Sequence, residues 1–378
     1  MRVEPPVPAD ALAAIRAPLQ AAAAVRVEAP LMQPLGLLLD LAGEAMRARL
    51  FVVQAEGGAE ACLRPDFTVA VARAHVEAAA AAGRYYYEGP AFRAAEGRDR
   101  AEEFLQIGLE LFGSEGPDSA ESDAEAAILA WRAAAAGGRG DLSLWLGDVA
   151  LFAAFIATLD LPPTLASRLQ RMAGRPRLLN AELSRAGEAA EPSAVHGRLA
   201  ALLSGLGEAD AADLLREVWA LAGVEPVGGR GPAEIAQRLV RRAQAAEAPA
   251  LTEGQAGAIR EFMAISDTPE AGLDRVRDLA GRQAKGLAAA LAGWGRRLAR
   301  LRAEAPDAAL WFTPALGHAF DYYDGLTFEV RSAALGTERP VAVGGRYDGL
   351  LLRLGRREGA QAVGCMVRPW RAYAGGEQ

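Results

Sequence analysis

The clearest alternation of apolar and polar positions lies between residues 103 and 113. Side chains alternate faces along a strand, so one face here is wholly apolar and consists of Leu105, Ile107, Leu109 and Leu111. The other face carries Gln106 and Glu110, roughly 13 Å apart along the strand, with Gly108 between them. We expect the apolar face to pack on helices and the gap at Gly108 to leave room for a small polar ligand. The alternative is an antiparallel sheet with one solvated face.

The same pattern predicts the order of the other elements. Residues 85–93 predict a partner strand that ends in Arg93 and is joined to the first by a charged hairpin loop. Helices are predicted at 10–24, 30–46 (behind Pro30), 67–82 and 119–136. Further strands are predicted at Leu50–Gln54, Glu60–Leu63, Leu142–Leu146, Leu310–Pro314, Leu326–Arg331, Pro340–Val343 and Ala362–Val367. Between 150 and about 305, amphipathic stretches alternate with proline and glycine. This order indicates an α+β core of residues 1–150 and 306–378 with a mostly helical insertion at 151–305.

Composition and charge exclude several function classes. No run of 18 apolar residues is free of charges, and the N-terminal segment lacks the apolar stretch of a secretory signal, so we expect no membrane span and no export. The net charge of −7 argues against nucleic-acid binding, which needs a basic face. The two cysteines, Cys62 and Cys365, fit a cytoplasmic protein. The sequence offers no metal-ligand spacing and no phosphate-binding glycine loop, so we expect neither metal nor cofactor.

Four segments in order resemble the histidyl-tRNA synthetases. Residues 63–75 read LRPDFTVAVARAH, similar to the LRPEGT-type segment of that family, and residues 85–112 resemble its motif 2. Residues 320–330 read FDYYDGLTFEV, similar to its histidine-specific segment, and residues 343–355 resemble GGGRYDGL ahead of motif 3. Pro30 stands where the dimer-forming motif 1 has its proline. The resemblance implies a class II aminoacyl-tRNA synthetase fold, with an antiparallel sheet flanked by helices, and a homodimer.

Departures from the synthetase pattern fall on the residues that activate the amino acid. His318 stands at the position of an arginine that assists adenylate formation, and a largely neutral imidazole does not replace a permanent bidentate cation. Ala94 and Ala95 follow Phe92-Arg93 where the family places an acidic contact to ATP. Arg368 fills a position that is an open glycine in motif 3. The sequence ends at Gln378, and we therefore expect no anticodon-binding domain of the kind that a synthetase carries.

The amino-acid pocket matches better. The positions that hold the substrate ammonium group in the family correspond to Asp66, Thr68, Gln106 and Glu110. Carboxylate, hydroxyl and amide oxygens are the acceptors that an ammonium group requires. The resemblance implies that Arg93 pairs with the substrate carboxylate and that Tyr322 and Tyr323 flank the imidazole. Phe67 replaces a glycine of the family and changes the shape of the pocket.

Each of these positions also has a structural interpretation. Asp66 could cap the helix that begins beside it, and Arg93 could be a solvated charge at the end of a hairpin. The remaining structural roles are sheet packing for Tyr322-Tyr323, a turn or bulge for Gly344-Gly345, a structural histidine at His318, and an ion pair of Arg346 with Asp348.

A sequence that keeps the amino-acid pocket but lacks the ATP-site residues resembles the regulatory subunits of ATP phosphoribosyltransferase, which are paralogues of the synthetases. That resemblance implies a non-catalytic protein that assembles with the short-form catalytic subunit. The complex would catalyse the first step of histidine biosynthesis, and this protein would mediate its feedback inhibition by L-histidine. One alternative is a truncated synthetase that still forms histidyl-adenylate. Another is a binding module for uncharged tRNA, which the acidic charge balance opposes.

Overall fold

The computed structural model describes residues 2–42, 44–54, 60–94, 100–113, 119–172, 176–184, 251–316, 322–356 and 359–377, together with 186, 213 and 217. The chain divides into two compact units. The first consists of residues 1–159, 170–176 and 260–378, and it contains every described residue of the predicted pocket. The second consists of residues 160–169 and 177–259.

An eight-stranded sheet forms the centre of the first unit. In chain order its strands are β1 Val25–Arg26, β5 Gly83–Phe92, β6 Glu103–Gly113, β7 Leu142–Asp148, β8 Leu310–Phe312, β9 Leu326–Ser332, β10 Ala342–Arg346 and β11 Gln361–Val367. They lie in the order β1-β5-β6-β11-β10-β9-β7-β8. The central pairs are antiparallel, as predicted, but β1 runs parallel to β5 and β8 parallel to β7, so the sheet is mixed. Gly344 and Gly345 lie inside β10 rather than in a turn.

A separate three-stranded sheet includes residues that were predicted to be helical. Its strands are β2 Met32–Pro34, β3 Val52–Gln54 and β4 Glu60–Leu63, in the order β2-β4-β3. The helix predicted at 30–46 was wrong in its first turn, because residues 32–34 pair with β4. Pro34 lacks an N–H group and is tolerated on this edge strand. The turn predicted at Gly57–Gly58 lies outside the described residues.

The described ranges of the two units also contain α-helices and short 3₁₀ turns. They are α1 Ala9–Gln20, α2 Leu35–Ala42, α3 Thr68–Glu77, α4 Ser119–Ala135, α5 Val149–Ala157, α6 Pro163–Gln170, α7 Pro176–Leu183, α8 Glu253–Met263, α9 Pro269–Ala280, α10 Ala288–Glu304, α11 Asp348–Arg353 and α12 Pro369–Ala372, with 3₁₀ turns at Glu44–Arg49 and Gly281–Leu287. Two predicted helices were too long at their C-terminal ends. The chain leaves the helical conformation near Ala23 (φ +53°) after α1 and near Ala79 (φ +49°) after α3.

Helix α4 packs against one face of the sheet and is fastened there by buried charges. Its alanine-rich surface lies on β10 and β11, and α10 packs against its other side. Asp123 is fully buried on α4; it accepts hydrogen bonds from Arg346 Nε at 2.7 Å and Arg297 Nε at 2.8 Å. Arg346 also pairs with Asp348 at 3.0 Å, which confirms the predicted local ion pair. The opposite face of the sheet therefore remains for the polar residues of β6.

Within the described ranges, every helix is either too short or too polar to cross a bilayer.

Candidate functional site

The polar face of β6 is buried, so the alternative interpretation of a solvated face is wrong. Gln106 and Glu110 are each 1 % exposed. Helix α3 lies against β6, and Tyr347, the residue after β10, packs against Phe112 at the end of β6. Buried amide and carboxyl groups need hydrogen-bond partners. The partners of these two side chains, and the atoms that lack one, therefore indicate which ligand the site can bind.

Glu110 is held by two hydroxyl groups from different elements. Thr68 Oγ1, at the start of α3, donates to Glu110 Oε1 at 2.7 Å, and the Tyr347 hydroxyl donates to Oε2. The carboxyl group fits only because Gly364 pairs with Glu110 on the adjacent strand; a Cβ at that glycine would lie 1.6 Å from Glu110 Oε2. Burial raises the pKa of Glu110 to about 8, although the bonds from Tyr347 and Thr68 lower it. A cation that enters the site would favour the ionised carboxylate.

Asp66 lies on the same side of the pocket, just before α3. Its Oδ2 accepts a hydrogen bond from the Tyr322 hydroxyl at 3.3 Å. Burial raises the pKa of Asp66, and the charge of Arg93 and the Tyr322 bond oppose that rise. The backbone amides of Thr68 and Val69, at the start of α3, also lower the pKa of Asp66. The start of the helix therefore favours the ionised Asp66 carboxylate, which agrees with part of the capping interpretation.

Three tyrosines form an aromatic wall beside Glu110. The rings of Tyr322 and Tyr323 lie 4.7 Å apart, and the Tyr347 ring meets them edge-on at 5.7 Å and 6.3 Å. Burial raises the pKa of all three hydroxyl groups, so they remain neutral donors. Tyr347 was missed as a site residue in the sequence. It stands in the GGRYDG segment, whose glycines indicated a turn, and its contact with Glu110 joins positions far apart in the chain.

The space predicted above Gly108 is not open. A Cβ at Gly108 would lie 2.2 Å from the Tyr87 hydroxyl oxygen and 2.5 Å from the Cys365 carbonyl oxygen. The glycine thus makes room for the Tyr87 ring, which reaches from β5 across β6 and donates a long hydrogen bond of 3.4 Å to Cys365 O. Phe67 stacks on Tyr87 with ring centroids 4.5 Å apart and an interplanar angle of 8°. The expectation of an open floor on the sheet was therefore wrong for this state of the protein.

Arg93 is not a solvated charge. Its side chain is half-buried, its Nε donates to Pro65 O at 2.8 Å, and its guanidinium lies 5.5 Å from the Phe104 ring centroid. Burial lowers the pKa of Arg93, and the charge of Asp66 opposes that change. The cation thus lies beside the pocket, within electrostatic reach of its acidic residues.

Arg368 occupies the end of the same sheet face. It is 5 % exposed, and its guanidinium lies 3.5 Å above the Phe104 ring. Glu4 from the N-terminal segment is buried against it and accepts its hydrogen bond. Main-chain bonds hold that segment beside the start of β6; Glu4 N donates to Glu103 O at 2.8 Å. The side chain that replaces the family's glycine, together with Glu4, fills the neighbouring space. His318 and Ala95 lie outside the described residues.

Two acceptor atoms in the pocket have no hydrogen-bond partner in the described part of the chain. They are Asp66 Oδ1 and Gln106 Oε1. Both side chains are more than nine-tenths buried. Unsatisfied buried acceptors are unfavourable, and a ligand with several N–H donors would satisfy them. The pocket therefore combines two carboxyl groups, two open acceptors and an aromatic wall, which suits a small ligand with a cationic donor group and a flat ring.

Comparison with known proteins agrees with this geometry. The family model described as histidyl-tRNA synthetase matches residues 11–227 and 230–369. A protein of Brucella anthropi named ATP phosphoribosyltransferase regulatory subunit is 36 % identical over 361 residues, covering 93 % of each chain. A protein of the same name from Brucella canis is 35 % identical over 364 residues, covering 94 % of each chain.

Solved structures show the same fold at lower identity. A protein from Bacillus halodurans, described as an ATP phosphoribosyltransferase regulatory subunit/histidyl-tRNA synthetase, superposes with a TM-score of 0.62 at 19 % identity. The match covers 97 % of this chain and 78 % of that one. Histidyl-tRNA synthetase from Nostoc superposes with a TM-score of 0.60 at 15 % identity, over 96 % of this chain and 69 % of that one. The predicted class II synthetase-like fold is thereby confirmed.

Proposed function

Because this chain belongs to the family of ATP phosphoribosyltransferase regulatory subunits, we propose that it is the non-catalytic partner of a separate short-form catalytic subunit. In this role it supports the first step of histidine biosynthesis in the cytoplasm. Its buried pocket binds L-histidine, the end product of that biosynthesis, and the bound histidine lowers the activity of the catalytic subunit.

The ligand assignment depends on a set of buried acceptor atoms that lack hydrogen-bond donors. Asp66 Oδ1 and Gln106 Oε1 have no partner among the described residues, and the carboxyl group of Glu110 lies on the same face of the sheet. An ammonium group has three N–H donors and would meet this set with charge-assisted hydrogen bonds. Arg93, on the other side of Asp66, would pair with the ligand carboxylate.

The aromatic wall supports an imidazole rather than an aliphatic side chain. Tyr322, Tyr323 and Tyr347 offer edges and faces to a flat ring, and aromatic rings favour these offset and edge-on contacts. Their neutral hydroxyl groups both donate and accept, which matches the two ring nitrogens of histidine. The site residues of this proposal are Asp66, Thr68, Arg93, Gln106, Glu110, Tyr322, Tyr323 and, from the structure, Tyr347.

The space next to the pocket supports a regulatory rather than a catalytic role. Aminoacyl-adenylate formation needs an open, cationic place for a nucleotide triphosphate beside the amino acid. Here the Arg368 guanidinium lies over the Phe104 ring and pairs with Glu4 of the same chain. Because this guanidinium is 5 % exposed, a phosphate would have to displace Glu4 to reach it. The chain acts, in this proposal, only by changing the state of its partner.

An exposed apolar surface supports a homodimer. The large exposed apolar side chains include a group from the small sheet and the segments before it: Val25, Leu31, Met32 and Val52. Val25 is 68 % exposed at the edge strand β1. An exposed edge strand and exposed apolar side chains are features that a second chain covers. We propose that two copies of this chain meet here within the complex.

Isothermal titration of histidine into the full-length protein, with and without the catalytic subunit, tests the ligand assignment. Glu110→Gln removes the charge but keeps the shape, and the lost charge-assisted bond should weaken binding about 10- to 150-fold. The matched control is Glu329→Gln, which alters a buried carboxylate on the same sheet that pairs with Arg331 at 2.7 Å. Equal affinity of the two variants would place histidine elsewhere.

A further inference from the structure

A stack of three side chains closes the floor of the pocket. Tyr87 lies over Gly108, Phe67 lies parallel to Tyr87, and the guanidinium carbon of Arg64 lies 3.9 Å from the centroid of the Phe67 ring. All three are 4 % exposed or less. We call this group the Arg64–Phe67–Tyr87 stack. It fills the position between Gln106 and Glu110 where a ligand would lie on the sheet.

The outer end of the stack is tied to main-chain carbonyls. Arg64 Nε donates to Pro90 O at 2.8 Å, and Arg64 Nη1 donates to Ala29 O. The amide of Arg64 donates to Leu31 O at 2.8 Å. Arg64 thus connects the pocket to the segment that precedes β2, where Leu31 and Met32 are 48 % and 49 % exposed.

Arg64 is a buried cation whose charge is met by dipoles and a ring. Within the described ranges it forms no ion pair with a carboxylate, and burial lowers its pKa to about 10. A desolvated guanidinium without a carboxylate is held less firmly than a buried ion pair. The stack is therefore held by ring packing and by neutral carbonyl acceptors, without a carboxylate among the described residues.

We infer that the Arg64–Phe67–Tyr87 stack is a closure element that histidine must open, and that it couples the pocket to the surface at Leu31–Met32. This inference rests on the proposed histidine site. A ligand on the sheet at Gly108 displaces the Tyr87 ring, which moves Phe67 because the two rings are in contact. Phe67 in turn moves the guanidinium that holds Ala29 O. Opening thus changes the segment that carries the exposed apolar surface.

Phe67 determines how firmly the floor is closed. A protein whose binding-competent state is only partly populated binds its ligand more weakly by that fraction. Phe67→Leu keeps an apolar side chain of similar reach but removes the aromatic stacking and the cation–π contact. We therefore expect Phe67→Leu to bind histidine about 5- to 30-fold more tightly than the unmodified protein.

The matched control is Phe262→Leu. Phe262, on α8, is fully buried and stacks on Phe155 of α5 at 4.5 Å with an interplanar angle of 16°. It should lose comparable stability with unchanged histidine affinity. Titration calorimetry on the three full-length proteins makes the comparison. If Phe67→Leu binds histidine with the affinity of the unmodified protein, the closure role is wrong and the histidine site stands. If none of the three binds histidine, the site assignment fails and the closure inference fails with it.

Amide hydrogen exchange reads out the coupling directly. Histidine added to the unmodified protein should accelerate exchange at the Arg64 amide, because its bond to Leu31 O loosens as the floor opens. In Phe67→Leu without ligand, this amide should already exchange several-fold faster than in Phe262→Leu. Saturating histidine that leaves the Arg64 amide unchanged, or protects it, would overturn the coupling to Leu31–Met32.

Discussion

The Tyr347 hydroxyl donates a hydrogen bond to Glu110 Oε2, joining two positions separated by 237 residues. Both side chains are 1 % exposed. The bond closes the pocket between β6 and the residue that follows β10. It also supplies one of two hydroxyl donors that lower the pKa of Glu110, although burial still raises that pKa to about 8.

Removal of this hydroxyl should weaken histidine binding. Tyr347→Phe takes away a donor that favours the ionised carboxylate, so the pKa of Glu110 should rise further and the ammonium contact should weaken. We expect about a 10-fold loss of affinity by calorimetry. Tyr86→Phe is the matched control, because the Tyr86 hydroxyl donates to Glu88 Oε2 at 2.8 Å outside the pocket. An equal loss in both variants would mean that Tyr347 has no particular part in binding.

Histidine affinity should increase with pH. In the ligand-free protein burial raises the pKa of Glu110 to about 8, above its ordinary value of 4.5. An ammonium ligand favours the carboxylate, so binding releases a proton wherever Glu110 is protonated beforehand. Affinity should therefore rise by up to about tenfold per pH unit below pH 8 and level off above it.

Glu110→Gln provides the reference for this dependence, because histidine itself titrates in the same range. Titrations from pH 6 to 8.5, repeated in buffers of different ionisation enthalpy, measure the number of protons released. The unmodified protein should release more protons than Glu110→Gln near pH 7. Identical proton release would show that Glu110 does not change its charge when histidine binds.

Buried charges that fasten α4 to the sheet should contribute strongly to stability. Arg346→Met leaves the fully buried Asp123 with fewer donors, and we expect the free energy of unfolding to fall by about 3 kcal/mol. Arg302→Met breaks the Arg302–Glu270 pair, in which both side chains are 55 % exposed, and should change it by less than about 1 kcal/mol. Urea denaturation compares the two. Similar losses in both would show that the Asp123 network is not stabilising.

The purified protein should show no histidine-dependent pyrophosphate exchange. Loss of one group that stabilises charge in a transition state commonly lowers a rate by about 10²–10³. Here Arg368 and Glu4 also fill the space beside the pocket. Arg368→Gly alone should not restore exchange, because the other departures remain. Exchange at a rate typical of a synthetase, with or without this substitution, would contradict the regulatory assignment.

Local pattern predicted most strands of this fold but missed the short strands β1 and β2. The strand at Glu60–Leu63 and the hairpin of β5 and β6 follow from alternation and from turn residues, which depend on neighbours in sequence. The helix predicted at 30–46 failed because pairing with β4, a tertiary contact, overrides the helical pattern of residues 32–34. The ends of α1 at Gln20 and of α3 at Glu77 were missed because the chain turns away at Ala23 and Ala79 with a positive φ, which alanine seldom adopts.

Some residues of the candidate site could likewise be recognised from the sequence, and others could not. The acceptor residues Gln106 and Glu110 could be recognised because they lie on one strand. Tyr347 could not, since its role depends on how two distant strands meet. The contact of Glu4 with Arg368 could not be predicted either, because the two residues are 364 positions apart in the sequence. The Tyr87 ring above Gly108 was also missed, since a glycine in a strand indicates a close approach but not which group approaches.

We propose that histidine binds in this pocket and thereby changes the activity of a catalytic partner. A ligand regulates only if it binds one state of the complex better than another, and such coupling is typically about 5- to 150-fold. The catalytic subunit alone should be weakly active, and addition of this chain should raise its activity.

Reconstitution of the catalytic subunit with Glu110→Ala is the most direct test. The phosphoribosyltransferase rate is measured with increasing histidine, beside the unmodified complex and a Glu329→Ala complex as control. We predict that the Glu110→Ala complex is activated like the others but needs at least about tenfold more histidine for half-inhibition. If it is inhibited at the same histidine concentration as the unmodified complex, the sensor is not in this pocket and the account is contradicted.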